Sequence, residues 1–221
     1  KGLADLKVPV QTIAPKFTGR FNKGVDYEGD PERFGKEFEQ DILVIKYAVR
    51  EFGLPAGLKL SVHSGSDKFS IYPIIGNLIR KHDCGLHLKT AGTTWLEEVI
   101  GLALSGGRGL EIAKMIYRRA YDRREELCAP YATVIDIKPE MLPHPDTVDT
   151  WDTLKYAATL RHVPGDSDYN PGFRQLIHVG YKVASELGTA YTIVLESNAD
   201  VIASCVRENI YDRHIIPLFA H

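Results

Sequence analysis

Residues 59–73 bring together side chains that can bind ions and transfer protons. An apolar run ends within this segment, and a second apolar pattern with helical spacing follows it. Between the two lie a base, two hydroxyls, an acid and a cation, namely His63, Ser64, Ser66, Asp67 and Lys68. A hydrophobic core gains nothing from such a cluster, because buried polar groups are destabilising unless each finds a partner. The cluster suits a site that binds a metal ion or a polyhydroxylated anion.

Ionisable side chains also follow the other predicted strands. The strands are predicted at residues 8–14, 58–62, 84–88 and 132–137, with helical spacing between them. Polar groups at or after the ends of the first, third and fourth strands include Lys16, Arg20, Lys23, Asp26, His87, Lys89, Thr90, Asp136 and Lys138, all of them ionisable except Thr90. Alternating strands and helices predict a parallel sheet, in which ligands lie at the carboxyl ends of the strands. We therefore expect these groups to converge.

The helices have recognisable boundaries. Asp30 and Pro31 predict the start of a helix that Gly53 ends, and a second helix is predicted at residues 69–81. Thr94 and Glu97 have the spacing of a capping box that opens another helix. Further helices are predicted at residues 110–127, 151–160, 171–187 and 198–211.

The strand count bears on the fold class. Four strands are too few for a closed eight-stranded barrel, which takes about 250 residues. The prediction is an α/β, TIM-barrel-like (β/α) fold, to which this chain contributes the C-terminal strands and a helical C-terminal extension. Residues 1–145 would form the barrel part that carries the site, and residues 146–221 the extension. The earlier strands would lie upstream of Lys1.

Composition narrows the class of protein. The chain has 221 residues, a formal net charge of -2 and a pI near 6.5, which give no reason to expect nucleic acid or a membrane surface as partner. Its three cysteines, Cys84, Cys128 and Cys205, are widely spaced and fit a reduced, cytoplasmic compartment. A homo-oligomer is compatible with this composition.

Two histidines at equivalent strand ends suggest a metal site. His63 and His87 follow neighbouring strands, and neutral imidazole is the commonest metal ligand in proteins. Each alone is more often a hydrogen-bonded structural residue. Asp26 fits a catalytic acid or base, or equally an Asx-turn. Arg161, His162 and Arg174 would either recognise a carboxylate or anchor the helical tail, whereas His178 and Lys182 fit a structural pair.

Five segments resemble the tagaturonate epimerase family. They are residues 13–27 (IAPKFTGRFNKGVDY), 63–72 (HSGSDKFSIY), 86–95 (LHLKTAGTTW), 174–182 (RQLIHVGYK) and 213–219 (RHIIPLF). The resemblance implies a divalent-metal-dependent isomerase on a barrel-like scaffold, with His63 and His87 as metal ligands and Asp26 as acid or base. The family's longer chain implies that an N-terminal half supplies another ligand and the opposing base, so this chain alone should be inactive.

The implied substrate is a sugar acid, tagaturonate or fructuronate, and neutral ketohexoses are a further expectation. Catalysis would use Asp26 and Lys89 together with zinc, manganese, nickel or cobalt. Substrate would bind Lys16, Arg20, Ser64, Asp67 and Lys68. Two alternatives stay open: a metal-dependent sugar aldolase or isomerase, and a non-catalytic sugar-acid-binding subunit.

Overall fold

The computed structural model describes residues 1–62 and 66–220. The strands are β1 Thr12–Ile13, β2 Lys59–Val62 and β3 Leu86–Leu88. The α-helices are α1 Gly2–Asp5, α2 Pro31–Phe52, α3 Tyr72–Lys81, α4 Ala91–Leu104, α5 Gly107–Asp122, α6 Arg124–Cys128, α7 Pro145–Asp149, α8 Thr153–Leu160, α9 Pro171–Val179, α10 Tyr181–Leu187, α11 Thr189–Ser197, α12 Ala199–Arg207 and α13 Ile216–Phe219. Short 3₁₀-helices span Phe69–Ile71, Ala129–Tyr131 and Pro139–Met141, and a π-helix spans Glu208–Ile215.

The chain divides into two compact units. The first unit contains Lys1–Phe21, Asp26–Thr90 and His214–His221, and the second contains Asn22–Val25 and Ala91–Arg213. Within the described ranges, no helix is both long and apolar enough to cross a membrane.

A parallel three-stranded sheet organises the first unit. The strand order is β1-β2-β3, and the register pairs Ser61 of β2 with His87 of β3. The parallel arrangement predicted from the sequence is confirmed for these strands, although β1 is shorter than the predicted residues 8–14. Parallel strands end at the same edge of a sheet, so the segments after β1, β2 and β3 begin on one side.

Helix α2 shows why the sequence folds locally as predicted. The Asp30 side chain accepts hydrogen bonds from the backbone N–H groups of Glu32 and Arg33, and Pro31 occupies the first turn. Phe34 and Phe38 are completely buried. Gly53 ends the helix with φ of 64°, a left-handed conformation that favours glycine. The predicted helix is confirmed at both ends.

Helix α3 follows β2 through a short 3₁₀-helix. The predicted helix at residues 69–81 is thus present as two consecutive pieces, Phe69–Ile71 and Tyr72–Lys81. Helix α13 approaches α3 closely at Gly76, where an added Cβ would lie 2.6 Å from the carbonyl oxygen of Pro217. A larger residue at position 76 would push the C-terminal segment away from α3.

The second unit is helical around its own core. Its largest fully buried side chains include Arg174, Tyr117, Tyr156, Phe173, Leu96 and Ile100. The predicted C-terminal helices are present, with a break at Gly180 that divides the predicted helix at residues 171–187. Helix α11 was not predicted, because residues 189–197 lack a strong apolar stripe.

Two local predictions are wrong. Residues 132–137 form no strand, although Val134, Ile135 and Ile137 are β-branched. Their backbone is held by other groups: Lys23 N–H donates to the Val134 carbonyl at 2.8 Å, and Asp136 N–H donates to Gln175 Oε1 at 2.8 Å. Ile135 and Ile137 pack on the helical core, which explains the apolar pattern without a sheet.

The predicted capping box at Thr94 and Glu97 is also wrong. Helix α4 already begins at Ala91, so both residues lie inside it. Glu97 is buried, and its Oε1 accepts a hydrogen bond from Asn209 Nδ2 at 3.0 Å. Glu97 therefore makes a buried polar contact from within the helix and does not cap a helix start.

Candidate active site at the strand ends

Ser61 and His87 meet on adjacent strands of the first unit. The Oγ atom of Ser61 lies 2.8 Å from Nδ1 of His87, and Ser61 is buried. A metal-binding histidine is usually oriented by a hydrogen bond to its other ring nitrogen. In the tautomer in which Nδ1–H donates to Ser61 Oγ, Nε2 carries the lone pair and can bind a metal ion. The role of His87 as a metal ligand stays a prediction.

The other predicted metal ligand, His63, lies outside the described residues, as does Ser64. Within the part of the chain that the structure describes, no group of three or more His, Cys, Asp or Glu side chains has the arrangement of a metal site. A complete ligand set for a divalent cation would therefore include groups other than the described residues, such as His63. The His63–His87 pair stays a prediction.

A tight turn after β2 carries Asp67 and Lys68. Asp67 adopts φ of 59°, which is uncommon for a residue other than glycine, and both side chains are completely buried. Lys68 Nζ donates to the backbone carbonyl of Ser66 at 3.2 Å. A buried charge is stable only when other groups compensate it. Asp67 and Lys68 therefore need polar partners within the first unit, and such contacts fix the conformation of the turn.

His214 of the C-terminal segment contacts this turn. The sequence alone predicts no role for it. Its Nε2 accepts a hydrogen bond from the Asp67 N–H at 3.2 Å and lies 3.2 Å from Ser66 Oγ. His214 lies in the segment of residues 213–219 that carries part of the family resemblance. Its position in that segment was the one available signal, because 147 residues separate it from Asp67.

Asp26 is held against the start of the 3₁₀-helix Phe69–Ile71. Its carboxylate accepts from Ser70 N–H at 3.2 Å and from Ser70 Oγ at 2.9 Å, and it also accepts from Tyr27 N–H at 2.7 Å. The last contact is local, as in the turn that the sequence allowed. The contacts with Ser70 bring Asp26 to the element that begins after Lys68, so Asp26 is placed near the candidate site of the first unit.

Tyr72 lies near the carboxylates of Asp26 and Asp67. Burial raises the pKa of Tyr72 well above its usual range, and the negative charges of Asp67 and Asp26 raise this pKa further. The phenol is therefore a neutral hydrogen-bond donor at any physiological pH. Its ring packs at 5.3 Å from the His214 ring.

The predicted cations differ in accessibility. Lys16, Arg20 and Lys89 are exposed, whereas Lys68 is buried. Arg20 Nη1 lies 3.7 Å from Glu28 Oε2 in a solvent-exposed pair, which contributes little to stability. Lys16 and Lys89 are therefore more accessible to an anion arriving from solvent than Lys68 is.

Arg174 is fully buried and donates to backbone carbonyls, whereas recognition of a substrate carboxylate requires an accessible guanidinium. Its Nε donates to the Gly24 carbonyl at 2.6 Å and its Nη1 to the Leu160 carbonyl at 2.7 Å, both in the second unit. Its Nη2 lies 3.7 Å from Glu97 Oε1. A fully buried guanidinium with these partners supports the anchoring role. Lys182 forms a pair with Glu126 at 2.6 Å.

Comparison with known proteins assigns the family. Residues 1–214 match the family described as UxaE, tagaturonate epimerase. The chain belongs to the tagaturonate epimerase family. A curated relative, the tagaturonate/fructuronate epimerase of Thermotoga maritima, is 34% identical over 214 residues, which are 94% of this chain and 38% of that protein. The resemblance inferred from the sequence is thus confirmed.

Solved structures of this family have the same fold. The native crystal structure of fructuronate-tagaturonate epimerase UxaE from Cohnella laeviribosi matches with a TM-score of 0.75 and 25% identity over 98% of this chain and 40% of the other. Its complex with two glycerol molecules matches with a TM-score of 0.75 and 26% identity over 100% and 41%. The chain therefore spans about two fifths of the length of these relatives.

Proposed function

We propose that this chain forms the C-terminal part of an enzyme that interconverts D-tagaturonate and D-fructuronate. The observation that carries the proposal is the family match over residues 1–214, which includes every described residue predicted for the site. An N-terminal half of the same protein would supply a further metal ligand and the opposing base. Residues 1–145 would contribute strands to a TIM-like barrel, and residues 146–221 would pack on it as a helical extension.

The reaction must invert a carbinol carbon β to a ketone. Enolisation exchanges protons only at the α carbon, so it cannot invert this centre. In a retro-aldol step, a base removes the carbinol hydroxyl proton and the bond between the carbinol and α carbons breaks, leaving an aldehyde and an enediolate. Rotation of the aldehyde and re-addition then yield the epimer, with the proton returned to the new hydroxyl. No external oxidant is needed.

A divalent cation would bind His63 and His87, with zinc, manganese, nickel and cobalt as candidates. When bound, it would act as a Lewis acid that stabilises negative charge on the oxygens beside the breaking bond. The Ser61–His87 contact supports this assignment, because it engages Nδ1 and orients the imidazole, so that Nε2 would be the nitrogen that binds the cation.

Asp26 would move the hydroxyl proton. Three donors on Ser70 and Tyr27 fix its carboxylate, which keeps the group oriented for transfer. Lys89 would neutralise charge that develops on the substrate oxygen. Lys16, Arg20, Ser64, Asp67 and Lys68 would bind substrate, with exposed Lys16 and Lys89 available to the carboxylate and buried Lys68 acting from inside its turn. Neutral ketohexoses would undergo the same 4-epimerisation with weaker binding.

The test is to incubate tagaturonate with the polypeptide that carries this sequence at its native length. Separate samples would contain Zn²⁺, Mn²⁺, Ni²⁺, Co²⁺ or a chelator, and NMR would follow the products. Formation of fructuronate with metal, and its loss with chelator, supports the proposal. Accumulation of shorter aldehyde fragments would indicate an aldolase, and no conversion with any metal would contradict the proposal.

A further inference from the structure

His214 contacts Ser66 and Asp67 through Nε2, and its ring packs against aromatic residues that follow this turn. It is 2% exposed, and its Nε2 lies 3.2 Å from both the Asp67 backbone nitrogen and Ser66 Oγ. The ring also packs against Phe69 and Tyr72, with centroid distances of 5.3 Å to each. The imidazole is therefore fixed by hydrogen bonds and by aromatic packing within the first unit.

The hydrogen bonds determine which nitrogen carries the proton. A backbone N–H can only donate, so Nε2 must present its lone pair to Asp67. In the neutral ring the proton then resides on Nδ1. The Asp67 carboxylate is 3.7 Å from Nε2, too far for a hydrogen bond. In this tautomer His214 acts on the Asp67 backbone as a hydrogen-bond acceptor.

The backbone that receives this contact is unusual. Asp67 is one of the described non-glycine residues with positive φ, and such a conformation persists when surrounding contacts hold it. Lys68 follows immediately, precedes the 3₁₀-helix, and donates back to the Ser66 carbonyl. The path of Lys68 into the interior thus depends on the conformation at Asp67.

We propose that His214 is a positioning residue that holds the Ser66–Asp67 turn in its left-handed conformation and thereby places Asp67 and Lys68. The functional part of this inference rests on the proposed function, in which these two residues bind substrate. His214 lies in the π-helix Glu208–Ile215. Short π-helical segments are frequent at functional sites.

Hydrogen exchange tests the contact without an activity assay. H214F retains an aromatic ring against Phe69 and Tyr72 but removes the acceptor, whereas H214Q supplies a carbonyl oxygen near the place of Nε2. The Asp67 amide should exchange on the order of 10-fold faster in H214F and return toward the wild-type rate in H214Q. H82F, which alters another histidine of the first unit, is the matched control and should leave this amide unchanged.

A second measurement uses the wild-type chain, so it holds even if H214F does not fold. The ¹⁵N chemical shifts of His214, assigned by their absence in H214Q, should show a proton on Nδ1 and a lone pair on Nε2. Protonation on Nε2, or equal exchange of the Asp67 amide in wild type and H214F, would overturn the proposed contact.

The catalytic consequence is separable. In the epimerase assay, H214F should lose on the order of 10-fold or more in kcat, and H214Q should recover most of it, because small displacements of binding groups have large effects on rate. Faster exchange with an unchanged kcat would overturn the role in catalysis. If the wild-type protein does not epimerise tagaturonate, the proposed function fails, and exchange and ¹⁵N shifts still decide the turn contact.

Discussion

Ser61 Oγ lies 2.8 Å from His87 Nδ1 across the β2–β3 pair, where the two residues are in register. The contact joins a buried hydroxyl to the imidazole that the sequence singles out as a metal ligand. Loss of an orienting partner typically lowers metal affinity by about 10–100-fold.

We therefore expect S61A to weaken binding of a divalent cation by about this factor while the protein stays folded. S61T, which retains a hydroxyl, should bind more tightly than S61A. Isothermal titration with Zn²⁺ or Mn²⁺ measures the change. S105A, which removes a hydroxyl bonded to the Gly101 carbonyl in the second unit, is the control. Equal affinity of S61A and the wild type would remove Ser61 from the metal site.

Replacement of Asp26 by asparagine tests its role in proton transfer separately from its role in the fold. D26N retains an oxygen that can accept from Ser70 and Tyr27, so metal affinity and thermal stability should change little. Loss of the base should lower kcat on the order of 10²-fold or more. Steady-state kinetics beside a melting curve measure both effects. S70A, which removes one donor to Asp26, is the control for altered orientation. A D26N rate near that of the wild type would reduce Asp26 to a turn residue.

The sequence predicted those features that local chemistry determines. Helix α2 could be placed because Asp30, Pro31 and Gly53 mark its ends and buried aromatics line one face. Residues 132–137 have the sequence pattern of a strand without forming one, because β-branched residues that pack on helices look the same in sequence as residues of a strand. Thr94 and Glu97 resembled a helix start for another reason: the Thr-x-x-Glu spacing of a capping box also occurs inside a helix, where these two residues lie.

The candidate site was predictable only in part. His87 could be proposed from its place at the end of a predicted strand. Asp26 could be proposed from its place in a glycine-bounded loop. Their partners Ser61 and Ser70 were not predicted, since a hydroxyl has no distinctive pattern in a single sequence. His214 depends on a contact between distant parts of the chain and on π-helical geometry, neither of which apolar periodicity reports.

Exposure of Lys89 leads to a prediction about substrate charge. K89M should lower kcat/KM for tagaturonate more than for tagatose, because only the uronate loses a charge pair. We expect a difference of about 10-fold or more between the two substrates. K36M, a change at another exposed lysine of the first unit, should affect both substrates equally. Equal losses in K89M would mean that this lysine acts only on the reacting oxygens or the fold, and would remove its proposed contact with the carboxylate.

A surface network in the second unit predicts a pH dependence of stability. Hydrogen bonds from Arg123 and Lys182 lower the pKa of Glu126 to about 2. A depressed carboxylate pKa stabilises the fold above the unfolded-state pKa of about 4.3, and this contribution disappears as the pH falls toward 2.

E126Q should therefore lower the Tm by about 1–2 °C at pH 7, with the difference from wild type fading between about pH 4 and pH 2. Circular dichroism melts across this range measure it, with E125Q on the same helix as control. A constant difference at all pH values would show that packing, and not charge, explains the effect of E126Q.

We propose that the strand-end residues of this chain form part of a metal-dependent epimerase site. The most direct test compares wild type with the H63A/H87A double variant at native length, in saturating divalent cation, by NMR of tagaturonate conversion. We expect wild type to produce fructuronate until equilibrium is reached and the folded double variant to produce none above the enzyme-free rate. Conversion by the double variant at the wild-type rate would contradict the proposed site.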